Sequence, residues 1–461
     1  MRALRDPDRL LADGLAAIRA QYRVPPAFPD EVQAAAEAAA RRAPTAHADW
    51  TERPFVTLDP AGATDLDQAF AIEPAGADFL LHYAIADVAW FVDDGGEIDR
   101  EAWTRGVTTY LPDGKAGLYP PVLSEGAASL LPDGPRPAVV FTTRIAPDGG
   151  AVLAGVQRAV IRSRAKLAYE TAAEDDLPPG LAEIARRVAA AEDHRGAARV
   201  DPPEQEVERD GSGRFELRFR PLLASEKRNA ALSLATNMAV ADLLQAHCTG
   251  LFRVMAVPDA HAEARLRLTA RAFGMNWPAA APLAQFEKTL DPLDPRHAAF
   301  MLAVRRAGQG ASYVPWRAGQ TPWHAAMAAT YAHATAPLRR LADRYVVRAA
   351  LAVANGQAVP EAVSAAFERL PAVMDKAEAR SGQIERAAID LAETAILAHR
   401  TGEEFDAVVT DLGETGARIQ LCDLPVVARV AADGVVPGAP LRVRLESADP
   451  ARRTLGFKRT A

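Results

Sequence analysis

Residues 55–73 read FVTLDPAGATDLDQAFAIE, and the folding of this stretch decides the reading of the chain around it. FVTL and AFAI are short runs rich in β-branched and aromatic residues, bounded by turn formers, which is the signature of strands. Pro60 and Gly62 keep the connection between them from being helical. Asp59, Asp65 and Asp67 are therefore expected on one inter-strand loop, close in space. Carboxylates that near raise one another's pKa. A hard divalent cation removes the conflict, and oxygen-only ligation suits Mg²⁺ or Mn²⁺. Such an ion can hold a phosphodiester and activate a water. The plainer reading is a solvated polar turn. A calcium loop does not fit, because no bidentate Glu follows at the required distance.

Working outward, residues 1–48 are alanine-rich and read as short helices, with Leu10, Leu11, Leu15 and Ile18 on one helical face. That piece is open to a helix-turn-helix or winged-helix arrangement. From Trp50 the texture is strands, including a hairpin around Pro147, Asp148 and two glycines. Beyond about residue 225 helices take over, the last running through EAVSAAFERLPAVMDKAEARSGQIERAAIDLAETAILAHR. Strands followed by helices point to one large α+β domain over residues 49–400. Residues 401–461 hold about five short strands split by Gly, Asp and Pro, which fits a small OB-type barrel.

The bulk numbers are those of a globular protein. The chain has 461 residues, 49% hydrophobic and 25% charged, with a net charge of −7. No apolar run is long enough to span a membrane, and the charged start has no signal-peptide h-region. Two distant cysteines, Cys248 and Cys422, argue against a disulfide framework or a thiolate zinc site. A reducing cytoplasm is the expected location, and a monomer the expected state. P-loop, G-x-G-x-x-G and G-x-S-x-G patterns are missing, which disfavours NTPases, dinucleotide enzymes and serine hydrolases. The final stretch is locally basic, with Arg442, Arg444, Arg452, Arg453, Lys458 and Arg459.

A second informative segment is YAHATAPLRRLADRYVVRAAL, Tyr331–Leu351. Thr335 reads as a helix N-cap and Pro337 as a first-turn residue, so that Arg339 and Arg340 project from the first turn. Cations there oppose the helix dipole and call for an anion. Asp343, four residues after Arg339, is one candidate partner. The other is a phosphate held by a fully charged guanidinium.

Six blocks occur in order: TLDPAGATDLDQAF, HYAIADVAWFV, TTYLPDGKAGLYPPVLSEGAASLLP, IRSRAKLAYE, SLATNMAVADLL and YAHATAPLRRLADRYVVR. Together they resemble the RNB domain of the RNase II/RNase R family of exoribonucleases. The tail from Glu403 resembles the S1-type OB barrel that follows such a domain. The resemblance implies a hydrolytic, metal-dependent 3′→5′ exoribonuclease acting on single-stranded RNA with a free 3′ end and releasing nucleoside 5′-monophosphates. It assigns the metal to Asp59, Asp65 and Asp67, with Gln68 at a fourth ligand position, and cleavage to Asp67, Asp65 and Arg339. It places Tyr110, Tyr169, Arg340 and Glu393 at the RNA. Gln68 stands where the family usually has aspartate; an amide can ligate a cation but brings no charge. That departure is what favours the rival reading, an RNA-binding protein that kept the fold with weakened catalysis. Residues 1–48 are too few for the cold-shock-type barrels that precede the domain in larger members.

The remaining polar and aromatic residues have ordinary readings. His324 and His333 read as buried, hydrogen-bonded histidines, Trp316 and Trp323 as core aromatics, and Ser129 as structural. Glu226 and Asn229 lie near a further family glutamate but align with it poorly.

Overall fold

The computed structural model describes residues 3–4, 9–197, 204–209, 215–220, 222–291, 294–308, 310–413, 416–431 and 434–460. Most of the first eight residues thus lie outside the described ones. The architecture is mixed α+β. A central sheet runs Ser163–Ala168, Phe55–Asp59, Gln68–Ala75, Asp78–Ala86, Arg136–Ile145, Ala151–Ile161, Ala48–Asp49 in spatial order. The middle strands pair antiparallel, whereas Ser163–Ala168 lies parallel to Phe55–Asp59 and aligns Ala168 with Asp59. The strands Phe55–Asp59 and Gln68–Ala75 pair only at Val56 and Phe70. Their facing ends splay, and the loop carrying Asp65 and Asp67 fills the opening.

One helix, Ala224–Ala246, is buried on nearly every side, with Leu232, Leu234, Ala235, Val240 and Ala241 all within the core. A helix apolar all round belongs in the interior. It packs on the sheet and against a second buried helix, Leu341–Ala354, which reaches the same sheet. The 37-residue helix Glu361–Leu397 runs along the outside and reaches the C-terminal barrel. That barrel is closed, in the order Glu404–Gly413, Gly416–Leu421, Val427–Ala431, Thr454–Arg459, Pro440–Asp449. Its alternating burial gives it a core of its own around Val409, Ile419 and Val443.

The N-terminal helices are Leu10–Gln21 and Asp30–Ala40. Leu11, Leu15 and Ile18 bury against Ile384 and Leu391 of the long helix. A Cβ at Gly14 would fall 2.5 Å from the Leu391 methyl groups, so glycine sets how closely the two helices approach. The second helix sends Val32, Ala36 and Ala39 into the main core instead. The pair therefore seats on two different cores rather than forming a helix-turn-helix unit. No helix among the described residues is long and apolar enough to cross a membrane.

One local expectation changes. The helix in the arginine segment begins at Leu341, not near Thr335. Residues 335–340 form an irregular turn whose Ala336 N–H donates to buried Asp343 at 2.8 Å. The turn is stitched into the fold by Thr108 N–H donating to the Arg339 carbonyl and Leu341 N–H donating to the Gly106 carbonyl, both at 3.0 Å. Tertiary contacts thus override the local capping signal.

Candidate active site

A cleft of about 880 Å³ opens where the splayed strand ends, the Ala224–Ala246 helix and the 335–340 turn meet. Asp59 ends its strand, and Asp67 immediately precedes the next. The loop between them is held from below. Ser129 Oγ donates to the Thr64 carbonyl at 2.8 Å and accepts from Leu66 N–H at 2.9 Å. Lys166 Nζ donates to the Ala61 and Ala63 carbonyls at 2.9 and 2.5 Å.

Asp67 is 5% exposed. One oxygen accepts from Leu338 N–H at 2.7 Å, across 271 positions of sequence. The other lies 3.7 Å from Arg339 Nε. Burial pushes its carboxyl up to about 8, against the pull of Arg339 and the Leu338 amide. Asp59 is pushed up to about 7 by burial, with Arg339 and Lys166 opposing and Asp65 reinforcing. Its Oδ2 is buried without any hydrogen-bond partner. Buried Asp67 and half-buried Asp59, whose Oδ2 is buried and orphaned, have too little positive compensation and form a donor set that suits a hard cation. Among the described residues no three His, Cys, Asp or Glu side chains converge closely enough to hold an ion by themselves. The site fits an ion such as Mg²⁺, which takes one or two carboxylates and completes its shell with water and phosphate oxygens.

Two expected ligands are otherwise engaged. Asp65 Oδ1 pairs with Lys115 Nζ at 2.6 Å, and its Oδ2 accepts from the Tyr110 hydroxyl at 3.2 Å. Gln68 does not offer a free oxygen: its Oε1 accepts from the Tyr83 hydroxyl and from Ser233 Oγ, while its Nε2 donates to the Thr335 carbonyl at 2.7 Å. Gln68 ties sheet, central helix and arginine turn together, a structural task that a charged carboxylate could not perform toward a carbonyl.

The two arginines have exchanged their expected partners. Arg340, not Arg339, takes Asp343, with Nε and Nη2 bonds of 2.9 and 2.8 Å. Arg340 borders the cleft but is committed to that buried pair. Arg339 is about half exposed and meets only the edge of Asp67. Tyr110 is 50% exposed with its ring at the cleft mouth. Tyr169 lines the cleft with its hydroxyl fixed by Asn229 Nδ2 at 2.8 Å.

Glu393 is elsewhere. It is buried at the seam between the long helix and the barrel, where its Oε1 accepts from Gln205 Nε2 at 2.6 Å and from Val427 N–H at 2.7 Å. It fastens the barrel and does not border the cleft. His333 is a neutral buried histidine bonded to the Tyr313 hydroxyl at 2.8 Å. Burial lowers His324 to about 4. Trp316 packs on the main core, whereas Trp323 is 48% exposed and is not a core residue.

Several cleft residues escape a reading by motif. Lys115 bridges Asp65 and, at 3.2 Å, Glu125. Asn237 accepts from Ala334 N–H at 2.9 Å and so fixes the start of the arginine turn. Glu226 also lines the cleft, held by Arg220 at 2.8 Å. For Glu226 and Asn237 the local signal was polar residues breaking an otherwise apolar helix, as at Asn229, Ser233 and Asn237.

The match to known families now bears on this geometry. Residues 47–355 match the RNB domain model, and residues 403–460 match that of the RNase II-type exonuclease C-terminal S1 domain. The chain belongs to the RNB family. Relatives include a ribonuclease R of Aquifex aeolicus, 28% identical over 435 residues that cover 87% of this chain and 60% of that protein. Another is an exoribonuclease 2 of Cronobacter sakazakii, 27% identical over 410 residues covering 83% and 62%. The chain thus spans about three fifths of the length of these RNB relatives. The fold also matches that of the Mycoplasma genitalium RNase R solved with ribose-methylated single-stranded RNA, with a TM-score of 0.86 and 19% identity, covering 100% of this chain and 79% of that one.

Proposed function

We propose that this RNB-family chain is a hydrolytic 3′→5′ exoribonuclease that requires a divalent cation, takes single-stranded RNA by its free 3′ end and releases nucleoside 5′-monophosphates. The observation that carries the proposal is the meeting of Asp67 and Arg339, 3.7 Å apart, inside a cleft large enough for terminal nucleotides. The names of the RNB relatives support the same reading.

Asp59 and Asp67 would hold the cation, which when bound supplies a Lewis acid for the phosphodiester and lowers the pKa of a water. The chain's own residues do the rest. Arg339, with most of its guanidinium free, neutralises charge that builds on the phosphate. The Leu338 amide fixes the orientation of Asp67 toward that position. Burial excludes bulk water around both carboxylates and strengthens their hold on positive charge. The half-exposed Tyr110 ring offers a stacking face for a base, and Tyr169 a second aromatic wall. The barrel adds salt-sensitive affinity through its surface cations. Arg442 and Arg444 contribute less to that, since both pair with Glu404.

The test is incubation of a 5′-labelled single-stranded RNA with Mg²⁺ or Mn²⁺, wild type beside Asp67→Asn. A ladder shortening from the 3′ end in wild type and absent in the variant supports the proposal. RNA that is bound but left intact by both proteins would establish the non-catalytic alternative that Gln68 raises.

A further inference from the structure

Across the segment 325–328, whose Met327 lines the cleft, a second cavity of about 470 Å³ lies between the helices Ala260–Ala272, Leu283–Glu287 and Pro295–Ala307 and the strands Leu251–Met255 and Trp323–His324. Its walls are largely apolar, formed by Met255, Val257, Leu283, Val304 and Trp323. Into this lining the sequence places two acids, Glu263 and Glu287, and Glu287 is only 8% exposed. Its carboxyl has no hydrogen bond or ion pair within the described residues, and burial alone pushes it up to about 8. The neighbouring Phe286 stacks flat on Trp277, with ring centroids 5.0 Å apart, so the short helix carrying Glu287 is fixed in place. Two other charged groups border the cavity. Glu263 is bonded to Arg267 at 2.8 Å, and Arg305 already has a partner.

An unpaired carboxyl in an apolar recess costs stability that a leucine at the same position would not. The arrangement makes physical sense when something positive enters. A nucleic-acid phosphate is poorly served by a largely apolar recess whose buried, unbonded polar side chain is a carboxyl. A bare metal ion is poorly served by one free carboxylate among apolar walls. The volume is that of a small-molecule site, and Trp323 presents a ring on which an apolar or cationic group can rest.

We propose that this cavity binds a protonated primary amine carried on an apolar body, with the ammonium on the Glu287 carboxylate and the body against Trp323, Leu283 and Val304. The site is separate from the RNA cleft, and the proposal does not rest on the nuclease reading.

The experiment uses the full chain without RNA. Binding of 4-phenylbutylamine is measured calorimetrically beside the uncharged, equally sized 4-phenyl-1-butanol. Wild type binds the amine at least about tenfold more tightly than the alcohol. Glu287→Gln abolishes that preference while leaving alcohol binding unchanged. Trp323→Ala, at a half-exposed position whose loss does not threaten folding, weakens both ligands while retaining the preference. An amine that binds no better than the alcohol, or not at all, overturns the proposal. So does an amine preference that survives Glu287→Gln, or affinities that Trp323→Ala leaves untouched.

Discussion

Arg339 Nε stands 3.7 Å from Asp67 Oδ2, while the adjacent Arg340 is locked by two bonds to Asp343. Neighbouring identical residues are thus held very differently, and with the proposed function this gives a paired prediction. Arg339→Ala lowers the rate of RNA cleavage about 10²–10³-fold, the usual cost of one donor aimed at developing charge, and leaves the urea midpoint within experimental error. Arg340→Ala strands a fully buried Asp343 and destabilises the protein by about 3–5 kcal/mol. Rates and urea unfolding curves of the two variants check both halves. Equal losses of stability in the two would refute the division.

Gln68 yields a prediction of the opposite kind. Its amide joins Tyr83 and Ser233 to the Thr335 carbonyl. Gln68→Ala leaves that carbonyl and a buried hydroxyl short of partners, at about 1–3 kcal/mol. Gln68→Glu is worse than Gln68→Met, because a carboxylate oxygen would face the Thr335 carbonyl where an N–H now donates. Thermal unfolding of the three variants orders them. If Gln68→Glu proved the most stable, the amide would not be the tie described here.

Glu393 makes stability depend on pH. Burial, opposed by the Val427 amide and Gln205, pushes its carboxyl from the ordinary 4.5 up to about 7. The folded state therefore holds a proton more tightly than the unfolded chain, and stability falls as pH rises between about 4.5 and about 7, the full cost being present above that. Both donors reach the same oxygen, so Glu393→Gln keeps both bonds and removes the titration. The variant should gain about 1–3 kcal/mol over wild type near pH 8 and nothing near pH 4. Urea denaturation at the two pH values measures this. A gain of equal size at both would show that charge is not the cause.

How far the sequence could be read follows from the range of the forces involved. The aspartate loop was legible because proline and glycine fix a backbone locally, and the closed barrel because strand alternation and turn residues recur at short spacing. The start of the arginine helix was not. Thr335 and Pro337 look like a cap in isolation, but the turn is held by Thr108, Gly106 and Asp67, which lie far away in sequence. The same holds for Asp343, whose true partner is Arg340, and for Glu393, whose neighbours come from the barrel. Lys115 gave no signal, because a lone lysine on a three-residue strand carries no pattern until folding sets it beside Asp65.

The cation is open to test by stability rather than by turnover. Asp67 is buried and Asp59 half-buried with too little positive charge nearby, and the orphaned Asp59 Oδ2 marks where compensation is missing. A divalent ion bound there stabilises the folded state by mass action, about 2.7 kcal/mol at a hundredfold excess over Kd. Wild type at pH 8 should therefore melt at a higher temperature as MnCl₂ is added, and a chelator should return it to the starting value. Asp59→Asn and Asp67→Asn each remove one of the two under-compensated carboxylates, and both should be more stable than wild type without metal while losing most of the metal response. Asp65→Asn, whose oxygens face Lys115 and Tyr110, should keep the response largely intact. A metal-induced shift that persists in both Asp59→Asn and Asp67→Asn would place the ion outside this loop and remove the chemical basis of the proposed activity.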